Sequence, residues 1–210
     1  MIIKRFISFA FCALIAMISI TSCQSDDEIT TDPPAEGLVK EMKSFMTGDI
    51  VLQTSATLNG VDKTLLPGGC PTKFTFTWKD DTTFEVRLLD FTVGAMPMLI
   101  TFACDVKTMQ LNTWEKDEYP GDGWIKFYGK DGSVVADDDG EIKTSVTGSN
   151  VQGYYNANTH QINFIINYNM MNVRSECFLQ TVDKSKIDSF EEDFAQFEED
   201  LKAYKEANGL

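Results

Sequence analysis

From about residue 37 to residue 183, apolar and polar side chains alternate with the period of a strand that buries one face. Lys73-Phe74-Thr75-Phe76-Thr77-Trp78 sets three aromatics on one side and Lys or Thr on the other. Thr83-Phe84-Glu85-Val86-Arg87-Leu88 repeats the pattern, and Lys79-Asp80-Asp81-Thr82 between them predicts a hairpin turn. Ile162, Phe164, Ile166 and Tyr168 alternate with Asn163, Ile165, Asn167 and Asn169. Asn156-Ala157-Asn158-Thr159 is turn-rich and joins that run to a strand over 151–155. Further strands are predicted over 49–58, 98–105, 108–113, 124–128, 142–146 and 173–180. Ten short strands separated by Gly, Asp and Asn predict an antiparallel barrel or sandwich, not a parallel sheet with crossover helices.

The period changes to three and four at both flanks. Leu38, Met42, Phe45 and Met46 share one side of a short helix predicted over 35–46, which Gly37 weakens. Ile187, Phe190, Phe194, Phe197, Leu201 and Tyr204 form the apolar stripe of a second helix, about 185–208. Ser185 with Asp188 is its candidate N-cap, and Gly209 follows its last turn. Seven acids lie between Asp188 and Asp200, whereas Lys202 and Lys205 come near the end, as the helix dipole prefers. The stripe predicts packing on the outer wall of the sheet; its alternative is an acidic docking helix or a coiled-coil seam.

Residues 1–22 take no part in this pattern. Lys4 and Arg5 precede 15 uncharged residues, 6–20, a run short for a bilayer span and the right length for a secretory signal. Ile20-Thr21-Ser22-Cys23 resembles a bacterial lipobox. The resemblance implies cleavage before Cys23, lipidation of its thiol and attachment to a membrane. Gln24, Ser25, Asp26, Asp27 and Glu28 resemble the acidic export signal that sends Bacteroidetes lipoproteins to the outer face of the outer membrane; the periplasmic face is the alternative. Residues 23–36 carry two prolines and five acids and read as a flexible tether, leaving 37–210 as a single β-rich domain.

Charge then narrows the function. With 18 basic against 32 acidic residues the chain carries −14; removing Lys4 and Arg5 leaves 16 basic residues and −16. No basic face is available to neutralise phosphates, which argues against nucleic acid as a partner. His160 is the one histidine, which argues against histidine-based metal clusters and a Ser–His–Asp triad; beside a predicted turn it reads as a surface side chain. Asp137-Asp138-Asp139-Gly140-Glu141 fails the calcium-loop pattern, since Val135 and Val146 fall where positions 1 and 12 need ligands. It reads as a solvated acidic loop, as do Glu115, Asp117, Glu118 and Asp122 around Tyr119-Pro120-Gly121. Neither assigns acid and base roles. No catalytic residue, metal ligand or cofactor motif is identified, and a hydrolase ranks last among the readings.

With Cys23 lipidated, Cys70, Cys104 and Cys177 cannot all pair within one chain, and three unpaired thiols are favoured. Asp81-Thr82-Thr83 resembles the motif at which Bacteroides O-glycosylates exported proteins, which makes Thr82 a candidate. The apolar segment 91–102 contains Met96, Met98 and Phe102; with Phe76 and Trp78 it is a candidate ligand-lining surface at a barrel mouth.

An acylated cysteine, an acidic linker, a short helix, an antiparallel run and a terminal helix together resemble the small lipoproteins of Bacteroides, several of which adopt calycin-like (lipocalin-like) barrels. Gly153-Tyr154-Tyr155 leading to Thr159-His160-Gln161-Ile162-Asn163-Phe164 is similar to a hairpin of such barrels, whereas Gly48-Asp49-Ile50 departs from the Gly-x-Trp signature and keeps a β-sandwich open. The resemblance implies an outer-membrane binding module for a small apolar ligand or a glycan. The alternative is an interaction lipoprotein whose acidic C-terminal helix docks a partner protein.

Overall fold

The computed structural model describes residues 32–96, 98–138 and 141–210; the predicted signal peptide 1–22, Cys23 and the predicted export signal 24–28 lie outside the described residues, as does Pro97. Each strand pairs antiparallel with the next: β1 (Gly48–Leu58), β3 (Cys70–Trp78), β4 (Thr83–Phe91), β5 (Leu99–Met109), β6 (Trp124–Asp138), β7 (Glu141–Asn156), β8 (Gln161–Asn167) and β9 (Val173–Thr181). β9 returns to β1 through Thr54↔Cys177 to Leu58↔Val173, so eight strands close into a barrel, and the sandwich alternative falls. The two-residue β2 (Val61–Asp62) is an outrigger on β1.

Ten predicted strands become the eight of the barrel because two merge and one is not a strand. The runs 142–146 and 151–155 are one strand, because Gly148 at φ +87 lets β7 pass through a kink without ending. The run 108–113 is not a strand: β5 stops at Met109, and Thr113–Glu118 is helix α2. Asn112 caps it, its Oδ1 accepting the Glu115 N–H at 2.8 Å while Glu115 Oε2 accepts the Asn112 N–H at 2.8 Å. This reciprocal capping box is legible as Asn112-Thr113-Trp114-Glu115, a signal that strand alternation masked.

Alternation decides what is inside. Phe74 and Phe76 of β3, Phe84 and Val86 of β4, Phe102 of β5, Phe127 of β6, Tyr155 of β7 and Phe164 of β8 point inward and are at most 2% exposed. Their rings meet at 5–6.5 Å: Phe74 edge-on to Phe164 at 5.0 Å, Phe84 on Phe127 at 5.6 Å, Phe127 on Phe164 at 6.0 Å. Gly153 makes room for them, since a Cβ there would lie 2.4 Å from both Phe127 and Phe164. Lys73, Thr77 and Arg87 point outward and are exposed. Apolar within and polar without is the reverse of what lipid demands of a spanning barrel.

Both mouths are stoppered. α1 (Glu36–Phe45) lays Val39, Met42 and the following Met46 into the core at one end, where Trp78 Nε1 donates to the Met46 carbonyl at 2.8 Å. Leu65, Leu66, Val93, Met96, Met98 and Met170 join the same core at the other.

The C-terminal stripe packs on the barrel, as its spacing predicts. α3 (Phe190–Asn208) buries Phe197 and Leu201 and half-buries Phe194 against β3, and Lys73 Nζ sits 5.0 Å from the Phe190 ring. Its start differs from expectation. Asp183, not Ser185, accepts the capping N–H of a 3-10 turn (Lys184–Ile187), and α3 begins afresh after Ser189. Gly209 at φ +66 ends it, as predicted.

Candidate functional site

The candidate lining residues divide between the two ends of a filled barrel. The register pairs Trp78 with Phe84, Phe76 with Val86, and Leu88 with Phe102, so Trp78 and Phe102 occupy different layers. Phe76 is 1% exposed and Phe102 0%, the latter edge-on to Tyr168 at 5.5 Å. Met96 is 9% exposed and Met98 partly buried at the far mouth. The structure therefore brings Phe76 and Trp78 together beside α1 and places Met96 and Met98 at the opposite mouth. The interior layers are filled by side chains at most 2% exposed, among them Phe74, Phe84, Phe127 and Phe164.

The other candidates lie outside. Thr82 is half-buried in the β3–β4 turn, its hydroxyl donating to Asp80 at 3.1 Å, while the neighbouring Asp81 is exposed and pairs with Lys43 at 2.9 Å. Cys70, Cys104 and Cys177 are free and buried, as favoured. Burial pushes the Cys70 thiol up to about 12 and that of Cys104 to about 11. Residues 137 and 138 belong to β6 and Glu141 opens β7, so the first acidic loop is a hairpin end, with 139 and 140 outside the described residues.

Two surface readings need correction. His160 is half-buried: its ring stacks on Phe45 at 3.8 Å and 7°, and Nδ1 is hydrogen-bonded to the Tyr155 hydroxyl at 2.7 Å. Its φ of +56, which the turn imposes, swings it back over α1 instead of into solvent. The second acidic loop is not uniformly solvated, because Glu115 is 9% exposed.

Glu115 anchors a polar and aromatic patch on the outer wall. Lys126, Tyr154 and Asn163 are cross-strand neighbours on β6, β7 and β8, all facing outward. Over this row sits α2. Glu115 pairs with Lys126 and accepts the Tyr154 hydroxyl at 2.8 Å, which in turn accepts from Gln152 at 3.0 Å. Burial pushes the Glu115 carboxyl up, but the hydrogen bonds from Lys126, the Asn112 N–H and Tyr154 win and hold it below the usual carboxylate range. Burial and the adjacent Glu115 push the Tyr154 hydroxyl well up, so it stays a donor. Tyr119 stacks on Tyr154 at 4.0 Å, accepts from Asn163 at 2.7 Å, and meets the Trp124 ring edge-on at 4.9 Å. Sequence reasoning missed this assembly, since its members lie on α2 and three strands.

Beside the stack opens a cleft of about 520 Å³, lined by Leu38, Gln110, Lys116, Tyr119, Asp122 and Trp124 among others, with Pro34 and Ala35 as one wall. That wall is pinned: the Gln110 N–H donates to the Asp32 carbonyl and the Gln110 amide to the Pro33 carbonyl, each at 2.9 Å. A second concavity lies between α3 and the 66–71 segment, where Asp193, Asp200, Lys186 and Gln196 surround the buried Phe197. It offers charge without an accessible aromatic face. The first cleft offers a ring face with an amide, an amine and a carboxylate around it, a set that can stack on a flat apolar ligand face and hydrogen-bond its rim.

A family model described as a domain of unknown function, DUF4903, matches residues 23–209. No curated protein and no solved structure matches.

Proposed function

For this chain, which belongs to the DUF4903 family, we propose a binding module, anchored through lipid on Cys23 in the outer membrane and facing the cell exterior, that takes a neutral glycan in the Tyr119–Trp124 cleft. The observation that carries the ligand class is the filled barrel: with Phe76, Phe84, Phe102, Phe127 and Phe164 at most 2% exposed, an apolar ligand has no interior to enter. Sugar rings present one C–H face to an aromatic and a rim of hydroxyls to polar groups. Trp124 is half-exposed at the cleft, and Gln110, Lys116 and Asp122 supply donors and acceptors of both kinds around it. No catalytic step is assigned.

The address rests on the lipobox and on the acidic run 24–28, and the family match begins at Cys23, the residue at which the lipobox places cleavage. The calycin-like reading rests on the eight-strand next-neighbour barrel with a short helix at one mouth. The apolar stripe of α3 is spent on the barrel, which leaves docking through this helix only its acidic outer face.

Titration of residues 24–210 with a panel of neutral oligosaccharides, followed by tryptophan fluorescence, tests the ligand. A saturable change is expected for at least one sugar and is lost in Trp124→Ala with the thermal midpoint retained; fatty acids and sterols leave the signal unchanged. Binding that survives Trp124→Ala refutes the location, and a folded sample silent to every sugar refutes the ligand class. Fatty-acid labelling that disappears in Cys23→Ser, with protease shaving of intact cells, tests the address.

A further inference from the structure

Trp114 has no structural work to do. It is 79% exposed, the most exposed of the large apolar side chains among the described residues, on a helix whose buried face is already occupied by Glu115. An exposed tryptophan costs apolar surface in water, and its position in the chain indicates what covers it. Gln110, four residues earlier, is the residue that holds Asp32 and Pro33. The chain therefore leaves the barrel beside α2. Cys23 lies nine residues before Asp32, a reach of at most about 30 Å when extended.

We propose that Trp114 is a second, interfacial contact with the membrane: its indole enters the headgroup region of the bilayer that holds the lipid on Cys23. This rests on the lipid-anchor reading given above. Tryptophan prefers that depth because its ring is apolar and its N–H still finds a polar partner. One such contact is weak alone. The short tether makes it intramolecular, so the effective concentration of bilayer beside Trp114 is in the range of about millimolar, and a weak contact becomes occupied. Lys116 is followed by Asp117 and Glu118, so the surroundings bring no net positive charge, and the contact is carried by the indole instead of by electrostatic attraction. The contact orients the barrel, bringing the Trp124 cleft, on the same side as α2, close to the membrane plane.

The test uses the full-length lipidated protein in phosphatidylcholine vesicles, with and without bromine on the acyl chains near the interface. Flotation first reports anchoring. Bromine-dependent quenching of tryptophan emission is expected for the parent protein, is lost in Trp114→Phe, and persists in Trp124→Phe. Because Trp114 is exposed, Trp114→Phe is expected to keep the parent's thermal midpoint. Protein that floats but shows the same quenching with Trp114→Phe, or none in the parent, overturns the inference, and a tryptophan so exposed without lipid contact then points to a protein partner. Protein that does not float overturns the anchor reading and the inference with it.

Discussion

Glu115 and Lys126 form an ion pair that is buried on the outside of the barrel, their side chains 11% and 8% exposed under α2. Such a pair gains little over two apolar residues, but removing one partner strands the other charge. Glu115→Gln is therefore expected to cost about 3 kcal/mol at pH 7, from chemical denaturation. Loss of α2 from the wall accompanies it, seen as increased exposure of Tyr119.

The same carboxyl sets an acid limit. Its folded value lies below the unfolded value of about 4.3, so its stabilisation is fully present above that pH and is lost as pH falls through the folded value. The parent protein is expected to lose thermal midpoint more steeply than Glu115→Gln below about pH 4. Parallel slopes for the two proteins would show that the pair contributes nothing to the acid transition.

Gly153→Ala is expected to be severe. Its new methyl would lie 2.4 Å from Phe127 Cζ and from Phe164 Cβ, and 2.7 Å from the Asn163 carbonyl. One of those atoms belongs to the backbone, so repacking alone cannot relieve it. A loss of about 3 kcal/mol in unfolding free energy is expected; a neutral result would mean that the rings leave slack.

The β1–β9 seam is completed by a side chain. Gln180 accepts the Gln53 N–H at 2.9 Å and donates to the Gln53 carbonyl at 3.0 Å, replacing a backbone pair where β9 bulges. Gln180→Ala is expected to lower stability by about 1–3 kcal/mol and to raise amide exchange at Gln53 first. Unchanged protection at Gln53 would show that water replaces the carboxamide.

Phe102→Ala separates core filling from ligand lining. At 0% exposure its loss is expected to cost about 3–5 kcal/mol and to leave sugar binding to the folded protein unchanged.

The three thiols of residues 24–210 are expected to resist a disulfide reagent at pH 8 until the protein unfolds, because burial raises all three. A thiol that reacts at once in the native state would contradict that burial.

Much of the architecture is written locally. The hairpins at 79–82 and 156–159, the β8 alternation and the α3 stripe each need only their own neighbours to be recognised, because face and turn chemistry are local properties. α2 was equally local, in the capping box of Asn112 and Glu115, but its signal lay where strand alternation also fitted.

Sequence by itself determined which side of the alternating runs faces inward, the hairpin turns at 79–82 and 156–159, and that α3 has a side to bury. It could not determine closure, since a barrel and a sandwich bury the same alternating face; only the pairing of Thr54 with Cys177, far apart in the chain, decides between them. Nor could it place the cleft. Period two states that Lys126, Tyr154 and Asn163 point outward, but their alignment in one row, with Glu115 above them, depends on the register of three strands and the docking of a helix. Register is set by how the whole interior packs, and that is a property of the tertiary structure alone.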